Sequence, residues 1–269
     1  MQKKHKQIYK NNEKFPHMAV YKKTTTLFIL VFLILIWELS VYSFNIPAYI
    51  LPYPTNIFKT TIQNISLLTV NTKTTIFEAL LGLLFSAFIG VFTALIFQCF
   101  PKIDHAGQPI VAGIQSFPKE AIAPLLIVWF GFGISSKIIM ACSISFFPIF
   151  LSTLKGLKAV PCEIIYTFSS LRASQRDVIL KARLPYSLPY LLSGLRVSAT
   201  LSIVGAVIGE FVGSSSGLGH LILVANSQFA VDLVFSCLFI LGLTGVLVDS
   251  LLQQLEKAVI PWHESIYNP

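Results

Sequence analysis

TIFEALLGLLFSAFIGVFTALIFQC, residues 75–99, is the stretch that decides the fold class of this chain. It contains one charged side chain, Glu78, close to its start. A helix needs about 20 mostly apolar residues to cross the hydrocarbon core of a bilayer. The stretch therefore predicts a membrane-spanning helix.

Five further apolar stretches lie along the chain, and the overall composition agrees with them. Of the 269 residues, 54% are hydrophobic and only 12% are charged, a balance far too apolar for a soluble domain of this size. We therefore predict an all-α membrane protein with six transmembrane helices. The predicted spans are residues 25–44, 75–99, 109–132, 137–155, 187–211 and 230–254.

The third predicted span contains several residues that interrupt an apolar helix. Pro118, Lys119, Glu120 and Pro124 follow one another closely within it. Proline removes a backbone donor and kinks or ends a helix, and non-helical backbone at membrane depth must line a cavity or lie inside the protein. A broken helix is therefore expected in this span.

Lysine and arginine collect on one side of the spans, which sets the orientation of the chain. Seven lysines precede the first span, so residues 1–24 are predicted to be a basic cytoplasmic tail. With six spans in residues 25–255, the C-terminal tail, residues 256–269, is cytoplasmic too. The basic segment at about residues 156–185 falls on the same side.

Two segments on the predicted external side are informative. Residues 45–74 form the longer one, which is partly apolar and could hold an interfacial helix. The other is the Gly/Ser-rich run GEFVGSSSGLG, from Gly209 to Gly219. It lacks the lysine of a phosphate-binding P-loop, and no GxxxxGK[ST] occurs in the chain, so no ATPase site of its own is recognisable.

Several other functions are disfavoured by the placement of polar residues. The net charge of +8 comes from bases between apolar runs, which fits membrane topology rather than nucleic-acid binding. The four cysteines show no CxxC and no histidine at ligand spacing, so neither a metal nor another cofactor is expected. The five histidines lie in tails or loops, and no catalytic residue of an intramembrane enzyme is recognised.

The most informative segment is VPCEIIYTFSSLRASQRDVILKARLPYSLPYLLSGLR, from Val160 to Arg196. Its apolar residues have helical spacing, and Pro185 and Pro189 mark the return into the membrane. Two short surface helices would present such residues to a soluble partner. The alternative is an amphipathic loop that packs on its own bundle.

This segment resembles the cytoplasmic loop of ABC importer permeases, which carries an EAA signature, then Gly, then Leu-Pro. With Leu184-Pro185 as the anchor, Arg172 stands at the signature Gly and residues 166–168 stand at Glu-Ala-Ala. The resemblance implies that the loop is a coupling helix that docks on a separate ATPase. The implied coupling residues are Glu163, Tyr166, Thr167, Phe168, Leu171, Arg172, Ala173, Ser174, Arg176 and Asp177.

The arginine at the signature Gly has a physical consequence. A Gly between two short helices usually supplies a positive φ, and Arg there costs about 1 kcal/mol or forces a different turn. A shifted loop geometry, retuned coupling and an inactive transporter all stay open from the sequence.

The resemblance extends over nearly all of the chain from Trp37 to His263. The runs LPYPTNIF, SFPKEAIAPLLIVWFGFGISSK, LPYSLPYLLSGLRVSATLSIVGAVIGEFVGSSSGLGHLI and PWHE are similar to the branch that serves sulfonates, nitrate, taurine, riboflavin and the pyrimidine precursor of thiamine. The last two runs favour the pyrimidine-precursor or riboflavin members.

This resemblance implies a MetI-like permease bundle in the bacterial inner membrane. Its partners would be membrane lipids, two ATP-binding subunits, a second permease subunit, simplest as a second copy of this chain, and an external substrate-binding protein. The mechanism would be alternating access driven by ATP. An ion-coupled secondary transporter is the rival, but no inverted repeat is evident.

Four ionisable side chains are candidates for the translocation pathway, because charges inside spans are costly and usually functional. Lys119 and Glu120 lie beside the expected helix break, and Glu78 and Glu210 are added to them. Lys119 could instead pair with a neighbouring carboxylate and only hold the break. Glu78 and Glu210 lie near span ends, which favours a structural role.

Overall fold

In the computed structural model, which describes residues 16–261, the chain is built from eleven α-helices, and no strand occurs within this range. A 3-10 turn at Lys119–Ile122 and a π-turn at Ile179–Arg183 complete the helical elements. The helices are α1 (Pro16–Ser43), α2 (Pro54–Gln63), α3 (Ile65–Cys99), α4 (Pro101–Ser116), α5 (Ala123–Phe130), α6 (Ile134–Lys158), α7 (Cys162–Ser170), α8 (Gln175–Val178), α9 (Leu184–Gly213), α10 (Leu218–Ser227) and α11 (Val231–Val259).

Four helical segments are long and apolar enough to cross a membrane. They are α3, α6, the continuous segment Gln175–Gly213, and α11. The apolar part of α1, Phe28–Ser43, is shorter. The all-helical fold class is confirmed, whereas the count of six spans and the cytoplasmic location of both termini stay predictions.

The third predicted span is broken, as its prolines indicated. The helix pair Pro101–Ser116 and Lys119–Phe130 bends by 76° and passes the span criteria only as a pair. Phe117, between the two parts, has ψ 134°, the extended conformation that a following proline favours. The first half of the broken span is longer than predicted, because α4 begins at Pro101 rather than at residue 109.

Helices α3, α6 and α9 form the centre of the bundle and approach closely through small residues. A Cβ added to Gly205 of α9 would lie 2.7 Å from Ala141 Cα of α6, and one added to Gly82 of α3 would meet Ala141 Cβ. Membrane helices associate through such small residues, because lipid tails provide no hydrophobic force between helices. The three central helices are therefore packed backbone to backbone.

Both predicted external connections are shorter than expected. Helix α3 begins at Ile65, not at residue 75, and α2 buries Ile57 and Thr61. The polar start of α3 stays helical because Asn71 donates its amide to Leu67 O at 2.9 Å. The prediction of an external loop over Gly209–Gly219 was wrong, since α9 continues to Gly213 and α10 begins at Leu218.

Candidate functional site

The α7–α8 corner, residues 162–178, projects from the bundle. No residue of α7 is buried, and Tyr166 and Leu171 are 69% and 75% exposed. Glu163, Thr167, Arg172, Ser174 and Arg176 are exposed, whereas Phe168, Ala173 and Asp177 are partly buried. The ten predicted coupling residues therefore lie together on one accessible element.

Arg172 ends α7 in a left-handed conformation, with φ 53°. Its backbone N–H donates to Ser169 O at 2.9 Å, and the Ala173 N–H donates to Phe168 O at 3.0 Å. These two bonds define a Schellman motif, in which the left-handed position is normally glycine. Of the two outcomes left open by the sequence, the chain adopts the strained positive φ rather than a different turn.

Ser174 caps the start of α8. Its hydroxyl accepts from the Asp177 N–H at 3.1 Å, which is an N-cap bond, and donates to Asp177 Oδ2 at 2.5 Å. Lys181 Nζ lies 2.6 Å from Asp177 Oδ1. In this segment, which is predicted to lie outside the membrane, the Lys181 contact and then the Ser174 bond lower the pKa of Asp177 to about 2.

The corner is joined to the bundle through the π-turn Ile179–Arg183, whose Ala182 is buried. The Arg183 guanidinium donates through Nη1 to Leu157 O at 3.1 Å, near the end of α6. Nearby, Lys158 pairs with Asp104 of α4 at 2.6 Å. The corner is thus continuous with α9 and bonded to α6.

A second constellation, the buried polar cluster, lies where α3, α6, α9 and α10 meet. It consists of Asn71, Thr75, Glu78, Lys137 and Glu210, all less than a tenth exposed. Lys137 Nζ lies 3.7 Å from Glu78 Oε1. The other Glu78 oxygen, Oε2, is buried without a hydrogen-bond partner among the described residues.

The cluster satisfies the first backbone donors of α10. The Gly217 N–H donates to Asn71 Oδ1 at 2.8 Å, the Leu218 N–H to Thr75 Oγ1 at 2.9 Å and the Gly219 N–H to Glu210 Oε2 at 2.5 Å. Thr75 also donates to Glu210 Oε1 at 2.7 Å. Helix N-termini favour negative charge, so a carboxylate of α9 and two side chains of α3 together fix the start of α10.

Gly217 is required at this place for two reasons. Its φ of 102° is a conformation that side chains rarely adopt, and an added Cβ would overlap the Glu210 carboxyl group. A Cβ on Gly219 would also lie 2.8 Å from Glu210 Oε2. Gly217 and Gly219, which suggested a loop in the sequence, therefore allow the backbone to approach Glu210 closely.

The structure divides the four pathway candidates into two separate pairs. Glu78 and Glu210 belong to the buried polar cluster, whereas Lys119 and Glu120 lie at the break between α4 and α5. Lys119 donates to Gln115 O at 3.5 Å and stands 4.6 Å from the centre of the Phe147 ring. Among residues 16–261 it has no carboxylate partner, so the alternative of an ion pair that holds the break is not seen.

Sequence reasoning missed Lys137 as a site residue, although the fourth predicted span begins at this residue. It lies in the first turn of α6, 5% exposed. The signal was the presence of carboxylates in two other spans, which require a cation nearby. Asn71 and Thr75 gave no such signal, because a polar residue near a helix end is ordinary.

Comparison with known proteins identifies the family of this chain. The family model for the binding-protein-dependent transport system inner membrane component matches residues 82–261. The chain belongs to this family. It is the permease, the non-enzymatic multi-pass membrane subunit of an ABC importer, and such permeases work with an ATP-binding subunit and a substrate-binding protein.

Relatives from several organisms support this assignment. The permease is 38% identical over 209 residues to a probable ABC transporter permease protein of Haemophilus influenzae, covering 78% of this chain and 85% of the relative. It is 33% identical to the formylaminopyrimidine transport permease protein ThiX of Halalkalibacterium halodurans, covering 89% and 95%. It is 32% identical to the riboflavin transport system permease protein RibX of Chloroflexus aurantiacus, covering 94% of each.

The fold agrees with a solved structure of the same class. An inward-facing conformation of the MetNI methionine ABC transporter superposes with a TM-score of 0.65 at 18% identity, covering 72% of this chain and 97% of that one. The predicted MetI-like bundle is thereby confirmed.

Proposed function

We propose that the permease is driven by a separate ATPase that docks on the α7–α8 corner. The observation that carries this proposal is an exposed apolar surface: Tyr166 lies on α7, which buries none of its residues, and Leu171 follows directly after it. Exposed apolar groups of this kind mark interaction sites. The Schellman motif and the Ser174 N-cap hold the corner in one shape, which reduces the entropy lost on docking.

Co-purification tests this docking. The full chain, tagged and solubilised in mild detergent, should retain a soluble P-loop ATPase, and Tyr166→Ala with Phe168→Ala should release it. The matched control is Phe44→Ala with Tyr49→Ala, which removes the same two ring types from the predicted external side, where both are exposed. Retention of the ATPase by the Tyr166/Phe168 variant would contradict docking at the corner.

The transport mechanism that we propose is alternating access by a pair of permeases with two ATPases and an external binding protein. Closure of the ATPases would move the corner, and the π-turn and Arg183 would pass this motion to α9 and α6. The single corner on each chain favours two identical permeases related by a two-fold axis. Crosslinking of the purified complex and its mass would test this composition.

The translocation pathway in this proposal passes the break between α4 and α5. Lys119 and Glu120 lie there beside non-helical backbone, and Glu120 is exposed. Glu78 and Glu210, each 1% exposed, do not line this pathway: Glu210 fixes the start of α10, and Glu78 pairs with Lys137. A cysteine at residue 120 should react with a polar thiol reagent faster in the presence of ATP and solute than one at residue 78.

The substrate that we propose is a small nitrogen heterocycle, either a thiamine pyrimidine precursor or riboflavin. Similarity to ThiX and RibX over most of the chain supports it. The second candidate is a sulfonate such as taurine, since the putative aliphatic sulfonates transport permease protein SsuC of Bacillus subtilis is 30% identical. Uptake of labelled formylaminopyrimidine, riboflavin and taurine by proteoliposomes of the complete complex would separate them.

A further inference from the structure

Two arginine side chains, Arg172 and Arg176, stand exposed at the α7–α8 corner with no ion-pair partner among residues 16–261. The corner contains two carboxylates that could neutralise them. Asp177 is already paired with Lys181. Glu163 lies in the first turn of α7, about 12 Å of helix away from its end. The turn of the corner is therefore cationic.

The backbone holds both arginines in fixed positions. Arg172 occupies the left-handed residue of the Schellman motif, and Arg176 lies in the first turn of α8, directly after the Ser174 cap. A cation in the first turn opposes the helix dipole, and a side chain at positive φ costs backbone strain. Neither arginine is explained by the stability of the corner itself.

We propose that the surface receiving this corner is acidic, with carboxylates of the ATPase that pair with Arg172 and Arg176 around the apolar contacts of Tyr166 and Leu171. The inference rests on the proposed docking of an ATPase and adds the chemistry of the partner. Arginine binds carboxylate through two parallel hydrogen bonds. Such charged contacts give specificity and association rate, so they select this permease's own ATPase among the P-loop ATPases of a cell.

The experiment measures affinity between the purified full-length permease and the ATPase that co-purifies with it, between about 50 and 300 mM NaCl. Arg172→Glu with Arg176→Glu should weaken binding at least about tenfold at low salt. Arg172→Gly with Arg176→Ala removes both charges and keeps the turn, so its affinity should lie between those of the wild type and the reversed variant. The matched control is Lys102→Glu with Lys155→Glu, which reverses two exposed lysines outside the corner.

Each outcome supports or refutes the acidic docking surface or the docking itself. Weak binding by the reversed variant at low salt that recovers as the salt concentration rises, with the lysine control unchanged, is the expected result. If the reversed variant binds like the wild type while Tyr166→Ala with Phe168→Ala releases the ATPase, docking stands and the acidic surface is refuted. Equal weakening by the lysine control would refute it too, because net charge alone would then be responsible. A wild type that retains no ATPase would overturn the docking proposal itself.

Discussion

Replacement of Lys137 by methionine should be one of the most damaging single substitutions in the permease. Methionine fills a similar volume but leaves Glu78 as a buried carboxylate with no cation beside it, since the two side chains are only 7% and 2% exposed. Removal of one partner from a buried ion pair costs about 3–5 kcal/mol.

The assay is reversible unfolding of the purified permease in mixed micelles, followed by circular dichroism as the fraction of denaturing detergent rises. Lys73→Met, on an exposed position of α3, is the control and should change the free energy of unfolding by less than about 0.5 kcal/mol. Glu78→Gln combined with Lys137→Met removes both charges, so the double variant should be more stable than Lys137→Met alone. Unfolding of Lys137→Met at the wild-type midpoint, or additive effects in the double variant, would refute the reasoning.

Three further substitutions test the buried polar cluster and the α7–α8 corner. Gly217→Ala should prevent the close approach to Glu210 and lower the yield of folded permease on size-exclusion chromatography, whereas Gly242→Ala, at a glycine with open space around it, should not. Arg172→Gly should relieve the left-handed strain and stabilise the corner by about 1 kcal/mol. The measurement is hydrogen exchange of the Ala173 amide, which should become slower. Faster exchange of this amide would contradict the Schellman assignment. Thr75→Val should lower the free energy of unfolding in the micelle assay by about 1–3 kcal/mol, because the Leu218 N–H and Glu210 lose their buried partner. A change below about 0.5 kcal/mol would show that Thr75 does not hold α10.

The helical membrane fold could be predicted because hydropathy is a local property. A run such as residues 75–99 requires a bilayer whatever surrounds it, and the prolines at residues 118 and 124 indicated the broken span without any tertiary information. The corner could also be predicted from the sequence, because the spacing of its apolar residues and Leu184-Pro185 indicate two short helices before a span. Even the strain at Arg172 was one of two outcomes that the sequence allowed.

The ends of the helices were harder to predict than their existence. Asn71 fell in a predicted connection, yet its side chain bonds to the backbone of its own helix and α3 starts ten residues before the predicted span. Gly209–Gly219 looked like a flexible loop, yet most of it is helical. Polar and small residues at a helix end have the same composition as a loop, and packing partners decide between the two.

The sequence by itself determined that this chain crosses a membrane and where one span breaks. Only the tertiary structure decided that Glu78, Lys137 and Glu210 form one cluster and that this cluster fixes the start of α10. Thr75 and Glu210, which share a hydrogen bond, are 135 residues apart. The physical reason is that hydropathy is summed along the chain, whereas a buried charge is satisfied only by whichever helix face packs against it.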